Sequence, residues 1–262
     1  MAAGDSTFKI ILGSSSMARQ RILAEMGYEF TIMTADIDEK SIRKEKPEDL
    51  VTALAEAKAN AIMSRLQHTD MLEKDAHATL LITADTVVVY KGTIREKPCN
   101  EEEAREFIKG YSGGHAAVVG SVLVTNLKTG ASKGGWESAE VYFHDIPNEV
   151  IDSLIDEGIP FKVAGGLMLE HPLTLPFVDT VIGATDTVMG LSKSLTQKLI
   201  QEALFQQGTQ KQRKGAKVEE KIAEEKKEKM KETTAYEETD QVNIMGKESR
   251  STEKQQQWAA EF

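Results

Sequence analysis

A long apolar run from Leu80 to Tyr90 is rich in β-branched side chains and carries a carboxylate, Asp85, in its middle. An apolar run of this length predicts a β-strand that is covered on both faces. An ionised carboxylate inside such a strand is destabilising unless cations, hydrogen-bond donors or a metal compensate its charge. The run therefore predicts a central strand, and Asp85 requires charged partners from elsewhere in the chain.

Predicted strands and helices follow one another on both sides of this run. Phe8–Leu12 is a short apolar segment typical of a strand, and it leads through serines into a predicted helix over 17–27 with Ser16 as its N-cap. Cap residues and helical spacing predict further helices after Pro47, Asn100 and Pro147. The other predicted strands are 28–34, 118–125, 137–144 and 178–182, residues 161–176 form an irregular loop, and the last helix is 192–205.

The composition changes after residue 205. Of the 32 basic and 42 acidic residues of the chain, 12 and 12 lie in 206–262, which leaves 20 basic and 30 acidic residues in 1–205. The segment 206–262 has few large apolar residues and cannot bury a core of its own. We expect one folded domain over 1–205, followed by a charged tail over 206–262 that is disordered or partly helical.

Charge and cysteine content exclude several classes of protein. An acidic domain argues against general nucleic-acid binding, because a basic surface is needed to displace counterions from phosphates. Cys99 is the single cysteine, so no disulfide framework can form within one chain, as is typical of a reducing compartment. The sequence shows no signal peptide pattern and no apolar run of membrane-spanning length. These features predict a soluble cytoplasmic protein.

Cations occur where apolar residues are expected. Arg19 and Lys58 lie on the apolar stripes of two predicted helices, and Lys97 follows the hairpin after the central strand. The serine turn that contains Ser14 and Ser16 lies between a strand and a helix start, where free N–H groups favour an anion. Together these residues are consistent with a polyphosphate site. The alternatives are an ordinary N-cap for the serines, snorkelling or structural ion pairs for Arg19 and Lys58, and solvated surface for Lys97.

Carboxylates form the complementary group. Asp36, Asp38 and Glu39 follow one another in a turn, and Asp85 lies in the central strand. Such oxygen ligands suit magnesium or manganese, which bind one or two carboxylates together with waters and substrate phosphates. The alternatives are a solvated acidic turn for residues 36–39 and a structural, hydrogen-bonded carboxylate for Asp85.

Seven short motifs in order carry a resemblance to a known family. They are 14–19 (SSSMAR), 35–39 (ADIDE), 54–59 (LAEAKA), 84–88 (ADTVV), 96–98 (EKP), 112–115 (SGGH) and 164–166 (AGG). Their order and spacing resemble the Maf (septum-formation) family of nucleoside triphosphate pyrophosphatases over roughly residues 8–204, and the plant form in particular. A single motif of this kind would be weak, but the ordered series is specific.

The resemblance implies an α/β fold, with an elongated mixed β-sheet between two lobes and a nucleotide cleft, similar to inosine triphosphatases. It also implies a homodimer and cleavage between the α and β phosphates that depends on Mg or Mn. Transferred residue by residue, the family's site predicts catalytic, metal-binding and substrate-binding groups. The catalytic residues are Asp85, Lys58, Lys97 and Glu39, the metal ligands are Glu39 and Asp85, and the substrate-binding residues are Ser14, Ser16, Arg19, Ala18, Thr86 and Glu170.

In the family that the sequence resembles, three of these positions determine which nucleobase is accepted. The pyrimidine-cleaving branch has Arg, Thr and Gln there, whereas this sequence has Ala18, Thr86 and Glu170. Glutamate at the third position resembles the branch that prefers 7-methylguanosine triphosphate, while Thr86 resembles the pyrimidine branch. The prediction is hydrolysis of a non-standard or pyrimidine nucleoside triphosphate in cleansing the nucleotide pool. The alternatives are a non-catalytic nucleotide-binding regulator and an interaction protein that acts through its tail.

Overall fold

The computed structural model of the protein describes residues 8–67 and 78–205. The strands in these ranges are β1 (Phe8–Leu12), β2 (Phe30–Ile32), β3 (Ala78–Tyr90), β4 (Thr93–Arg95), β5 (His115–Asn126), β6 (Ser132–Phe143) and β7 (Val178–Ile182). They form one sheet in the order β2-β1-β3-β5-β6-β7, and β4 pairs with β3 outside this row. The sheet is mixed, because β1 is parallel to β2 and β3 while the remaining pairs are antiparallel.

Helices surround this sheet, and several begin at caps that the sequence predicts. Ser16 accepts a hydrogen bond from the N–H of Arg19, and Asn100 accepts one from the N–H of Glu103. Pro47 occupies the first helical position of the longest helix. The helices are α1 (Met17–Glu25), α2 (Pro47–Leu66), α3 (Glu101–Tyr111), α4 (Asn148–Asp156), α5 (Thr185–Val188) and α6 (193–205), with 3₁₀ turns at Glu39–Ser41, Pro160–Lys162, Ala164–Gly166 and Leu175–Phe177.

Strand β3 is the centre of the fold and is covered on both faces. Its side chains at Leu80 and Ile82 pack with α1 and α6, whereas Leu81 and Val87 pack with α2. Leu80, Leu81 and Ile82 are each 0% exposed, and complete burial of such a side chain stabilises the fold by about 1.5–3 kcal/mol. This double burial explains why the run is apolar at nearly every position, as the sequence predicts.

The sheet extends from this centre into a second group of helices. Val88 packs with α3 and with the inward residues of β5 and β6, and α3 packs in turn against α4. One lobe therefore contains β1, α1, α2 and α6, and the other contains α3, α4 and the 3₁₀ turns after Pro160. The α/β class with a mixed sheet between two lobes is confirmed.

Most predicted elements are present, with shifted bounds. The strand predicted over 28–34 is shorter, at Phe30–Ile32, and those predicted over 118–125 and 137–144 are longer, at His115–Asn126 and Ser132–Phe143. The short helix Thr185–Val188 was not predicted. The predicted tail over 206–262 lies outside the described residues. None of the helices in 8–67 and 78–205 is long and apolar enough to cross a membrane.

Candidate active site

The charge on β3 has a cation beside it. Lys58 of α2 contacts the Oδ1 atom of Asp85 through its Nζ atom, and the same Nζ donates to the Oε1 atom of Glu39 at 2.9 Å. The side chains of Lys58 and Asp85 are 11% and 10% exposed, whereas that of Glu39 is 46% exposed. Lys58 thus bridges a buried and a half-exposed carboxylate, and this contact compensates the charge of Asp85 within the strand.

Two buried hydroxyl groups hold α2 over this face of the sheet. Thr83 Oγ1 donates to the carbonyl of Ala55 at 2.8 Å, and Ser121 Oγ donates to the carbonyl of Val51 at 2.6 Å. Both hydroxyls belong to residues on the face of β3 and β5 that carries Asp85. They fix the axial position of the helix and therefore the height at which Lys58 meets Asp85. Sequence reasoning missed both, because a threonine or serine in a strand has no distinguishing local signal.

Arg19 approaches β3 from its other face and is held by four hydrogen bonds. Its Nη1 donates to the carbonyl of Ala84 at 3.0 Å and to Ser14 Oγ at 3.2 Å, and its Nη2 donates to Thr86 Oγ1 at 3.1 Å. Its Nε donates to the carbonyl of Gly190 at 2.9 Å. Four of the five N–H donors of this planar guanidinium are thus engaged, which makes it a rigid donor and a permanent cation.

Burial lowers the pKa of the Arg19 guanidinium from its ordinary value, and the nearby carboxylates Asp85 and Glu39 oppose this shift. The guanidinium of an arginine stays protonated in proteins at neutral pH, so Arg19 remains a cation. The field of Asp85 therefore reaches Arg19 although the two side chains lie on opposite faces of one strand. The site has a cation on each side of β3.

Gly190 holds Arg19 in place through its backbone. It adopts a φ of +105°, and a Cβ atom there would lie 3.2 Å from Arg19 Nε and 3.4 Å from Thr86 Oγ1. The glycine is thus required both by its left-handed backbone and by the close approach of the guanidinium. The sequence offers only a glycine ahead of a predicted helix as a signal, and sequence reasoning did not select it.

The serine turn resolves into specific contacts. Ser16 is the N-cap of α1, as the simpler alternative predicts, and Ser14 Oγ accepts from the N–H of Ser16 and from Arg19, each at 3.2 Å. Gly13 permits this turn to press against β3, since a Cβ there would lie 2.6 Å from Thr83 Cγ2. The structure therefore joins Ser14, Ser16 and Arg19, and the predicted phosphate contact remains a prediction.

Glu39 is placed by the 3₁₀ turn that it begins. Asp38 caps this turn by accepting from the N–H of Lys40 at 3.1 Å. Partial burial raises the pKa of Glu39, but Lys58, and with smaller contributions Lys97 and Arg19, lower it by more, so that the net shift is downward. The three predicted cations thus act electrostatically on one carboxylate.

The remaining predicted residues lie at the margin. Lys97 is exposed and follows β4, and the preceding Glu96 forms an ion pair of 3.5 Å with Arg43, which lies just after the 3₁₀ turn Glu39–Ser41. Ala18 is half-buried in the first turn of α1. Glu170 is half-buried in a turn of the second lobe, and within 8–67 and 78–205 no hydrogen bond or ion pair joins it to Arg19, Lys58 or Asp85. The structure thus links Ser14, Arg19 and Thr86 by hydrogen bonds and Glu39, Lys58 and Asp85 by ion pairs, and Glu170 belongs to neither group.

The donor set fits a divalent metal that is shared with a substrate. Glu39 and Asp85 both contact one ammonium group, which places their carboxylates beside each other. Groups of three or more His, Cys, Asp or Glu side chains arranged for a metal are not found in the described part of the chain. Magnesium and manganese commonly use one or two carboxylates and complete their shell with phosphate oxygens and water. Two neighbouring carboxylates meet that requirement, whereas they could not form a closed protein cage.

The chain is similar in sequence to known proteins. The profile of the family described as Maf-like protein matches residues 9–203. A protein of Dictyostelium discoideum named 7-methyl-GTP pyrophosphatase is 40% identical over 194 residues, which cover 74% of this chain and 96% of the relative. An Alkaliphilus metalliredigens protein named dTTP/UTP pyrophosphatase is 31% identical over 183 residues, which cover 70% and 90%.

Two further comparisons are more distant or less specific. A Chlamydia muridarum protein named nucleoside triphosphate pyrophosphatase is 32% identical over 196 residues, which cover 74% of this chain and 93% of the relative. The crystal structure of a nucleoside-triphosphatase / dITP/XTP pyrophosphatase from Mycobacterium abscessus superposes with a TM-score of 0.30 at 11% identity, over 53% of this chain and 76% of that one. This TM-score is too low to support a common fold. The family profile, however, spans the described domain, and the chain belongs to the Maf-like protein family.

Proposed function

We propose that this protein is a nucleoside triphosphate pyrophosphatase that hydrolyses the bond between the α and β phosphates to give a nucleoside monophosphate and pyrophosphate. The observation that supports it most is the bridge from Lys58 to Asp85 and Glu39, with Arg19 fixed on the opposite face of the same strand. Relatives that share this domain are named for the same reaction. A regulator that only binds nucleotide would have no need of a buried carboxylate between cations.

The chain's own residues account for binding and for proton transfer. Arg19 and Lys58, with Lys97 at the rim, neutralise the charge of the triphosphate, and Ser14 and Ser16 with the start of α1 accept a phosphate group. Asp85 orients the attacking water and takes up its proton, which requires a carboxylate close to the phosphorus. Positioning and charge neutralisation are the main sources of acceleration in phosphoryl transfer.

Glu39 and Asp85 would hold the metal, either Mg or Mn. When bound, a divalent ion supplies Lewis-acid stabilisation of the phosphate oxygens and a site for water. Before substrate binds, the ammonium of Lys58 offsets the repulsion between the two carboxylates, because it contacts both.

The substrate proposed is a pyrimidine or a non-standard triphosphate, with uridine and 7-methylguanosine triphosphates as the two leading candidates. Thr86, whose hydroxyl accepts from Arg19 at 3.1 Å, is the residue type of the pyrimidine branch and supports the first candidate. The relative with 40% identity is instead named for 7-methyl-GTP. Both nucleotides are therefore included in the first assay. We also propose that the protein is a homodimer and is located in the cytoplasm.

The decisive assay is pyrophosphate release from a panel of standard, methylated and deaminated triphosphates with magnesium and with manganese. We expect at least one pyrimidine or 7-methylguanosine triphosphate to be hydrolysed, and Asp85→Asn to lower turnover by about 10²–10⁴-fold while retaining nucleotide binding. If no triphosphate is hydrolysed but one binds, the protein is a regulator. A chain that ends at Phe205 distinguishes the tail-mediated alternative, because full activity without the tail assigns the reaction to the domain.

A further inference from the structure

One side of β3 has an interruption in its strand pairing at the candidate site. On that side β1 pairs with β3 only as far as Leu12 opposite Ile82, and the N–H of Gly13 makes the last bond, to the carbonyl of Ile82 at 2.7 Å. Strand β4 begins to pair only at Val88, opposite Arg95. Between Ile82 and Val88 this edge of the central strand therefore has no neighbouring strand among residues 8–67 and 78–205. Such an edge presents unpaired backbone groups.

The register identifies which backbone groups face the interruption. In an antiparallel pair, alternate residues direct their N–H and C=O groups to the same side. The pairs Val88 with Arg95 and Tyr90 with Thr93 enclose the hairpin turn, so the even-numbered residues of β3 point toward β4. The carbonyl of Ile82 points to the same side, because it accepts from Gly13. The backbone groups of Ala84 and Thr86 consequently point into the interruption.

Only one residue presents both a donor and an acceptor there. Ala84 is 0% exposed, and its carbonyl already accepts from Arg19 at 3.0 Å. Thr86 is half-buried, and its N–H and C=O have no hydrogen-bond partner among residues 8–67 and 78–205. Buried backbone groups are nearly always paired with protein, water or ligand, and the half-buried groups of Thr86 remain accessible to such a partner. The edge at Thr86 is therefore a preformed donor and acceptor pair beside the cation Arg19.

We infer that the backbone edge of Thr86 binds the lactam edge of the substrate's base, with its N–H donating to the ring carbonyl and its C=O accepting from the adjacent ring N–H. The inference rests on the proposed function. A lactam, meaning a ring C=O next to a ring N–H, is present in uracil, thymine and 7-methylguanine alike. The relatives named for dTTP/UTP and for 7-methyl-GTP differ in ring size but share this edge.

This assignment separates two aspects of base selection. Backbone groups select the lactam whatever side chain they carry, so the backbone of Thr86 does not distinguish a pyrimidine from 7-methylguanine. Its hydroxyl is already an acceptor for Arg19. The choice of ring size then falls to the side chains around the base, of which Ala18 and Glu170 are the candidates. The lactam edge is thus the common requirement of either substrate.

The test compares nucleotides that differ only at this edge. The parents are uridine triphosphate and 7-methylguanosine triphosphate. In the N3-methyl and 1,7-dimethyl derivatives a methyl group replaces the hydrogen of the ring N–H. The pyrimidin-2-one ribonucleoside triphosphate lacks both the N3–H and the C4 oxygen, so it loses the donor and the acceptor of this edge without added volume. The matched control is 5-methyluridine triphosphate, whose methyl lies away from the edge. Both kcat/KM for pyrophosphate release and the dissociation constants of the α,β-methylene analogues are measured.

We expect loss of the ring N–H to lower kcat/KM and affinity by about tenfold or more, as for a hydrogen bond whose partner is left unpaired. For the 5-methyl control, kcat/KM and affinity should each differ from those of the parent by less than about threefold. Equal affinity for a parent and its edge-modified derivative overturns the inference, and so does failure of both parents to bind. If the parents bind more tightly than their edge-modified derivatives but are not hydrolysed, only the proposed function fails.

A second variant separates the backbone from the hydroxyl. Thr86→Val removes Oγ1 and its contact with Arg19 but retains the N–H and C=O groups. Overall activity should fall, yet the ratio of affinities between uridine and pyrimidin-2-one analogues should remain about tenfold. If that ratio falls to about one, the side chain and not the backbone recognises the lactam, and the inference is wrong.

Discussion

Asp85 and Thr86 are adjacent in the chain, yet their side chains enter opposite faces of β3, where Asp85 contacts Lys58 of α2 and Thr86 accepts a hydrogen bond from Arg19 of α1 at 3.1 Å. Strand alternation thus divides the candidate site into two halves that meet at one peptide bond. The half around Asp85 contains the carboxylates, and the half around Thr86 contains the guanidinium. Changes in the two halves should have different kinetic effects.

The first prediction concerns this division. Asp85→Asn should lower kcat by about 10²–10⁴-fold with a small change in nucleotide affinity, since it removes a proton acceptor but preserves shape. Thr86→Val should mainly raise KM, because it releases one hydrogen bond of Arg19. Steady-state kinetics on both variants, with binding of an α,β-methylene analogue, measure the two effects. A large loss of affinity in Asp85→Asn would contradict the assignment of Asp85 to chemistry.

The second prediction concerns the buried ion pair. Lys58→Met should reduce the free energy of unfolding by about 3–5 kcal/mol, because it leaves Asp85 buried without its cation. The double variant Lys58→Met with Asp85→Asn should recover part of this loss, since the uncompensated charge is then gone. Urea unfolding of the two single variants and the double variant gives the coupling energy. Strictly additive losses would show that the pair is not coupled.

The third prediction concerns pH. The pKa of Glu39 is lowered below its ordinary value of 4.5, so the folded state binds the proton less readily than the unfolded state. The resulting stability is fully present above 4.5 and is lost as pH falls through the lower, folded value. The difference in Tm between the wild type and Glu39→Gln should therefore be constant near neutral pH and shrink in acid.

Salt provides the control for this pH effect. Glu39 is 46% exposed, so added sodium chloride should reduce the difference in Tm at neutral pH by screening its pair with Lys58. A difference that persists unchanged in acid would show that Glu39 contributes through packing and not through its charge.

The fourth prediction uses two glycines with left-handed backbones. Gly190→Ala should lower stability and also kcat/KM by tenfold or more, because the new Cβ would displace Arg19, whose Nε lies 3.2 Å away. Gly158→Ala is the matched control, since its φ is +67° but no atom lies within 4 Å of the added Cβ. Both variants should lose about 1–2 kcal/mol of stability from backbone strain, and only the first should lose activity. Equal kcat/KM values for the two variants would show that Gly190 does not position Arg19 for activity.

Much of the fold follows from local sequence. The apolar run at 80–90, the caps at Ser16 and Asn100, and the first-turn Pro47 each specify an element through residues a few positions apart. The need of Asp85 for cations follows in the same way, and so does the presence of Arg19 and Lys58 on otherwise apolar helix faces. The roles of the predicted residues in catalysis and substrate binding remain predictions.

The sequence by itself determined that a charged strand lies at the centre of this protein and which cations are available to it. Only the tertiary structure decided that Lys58 and Arg19 meet the strand on opposite faces, that Gly190 holds Arg19, and that pairing stops between Ile82 and Val88. The physical reason is range: caps and periodicity act between near neighbours, whereas the ends of β1 and β4 and the position of α2 depend on contacts between segments far apart in the chain.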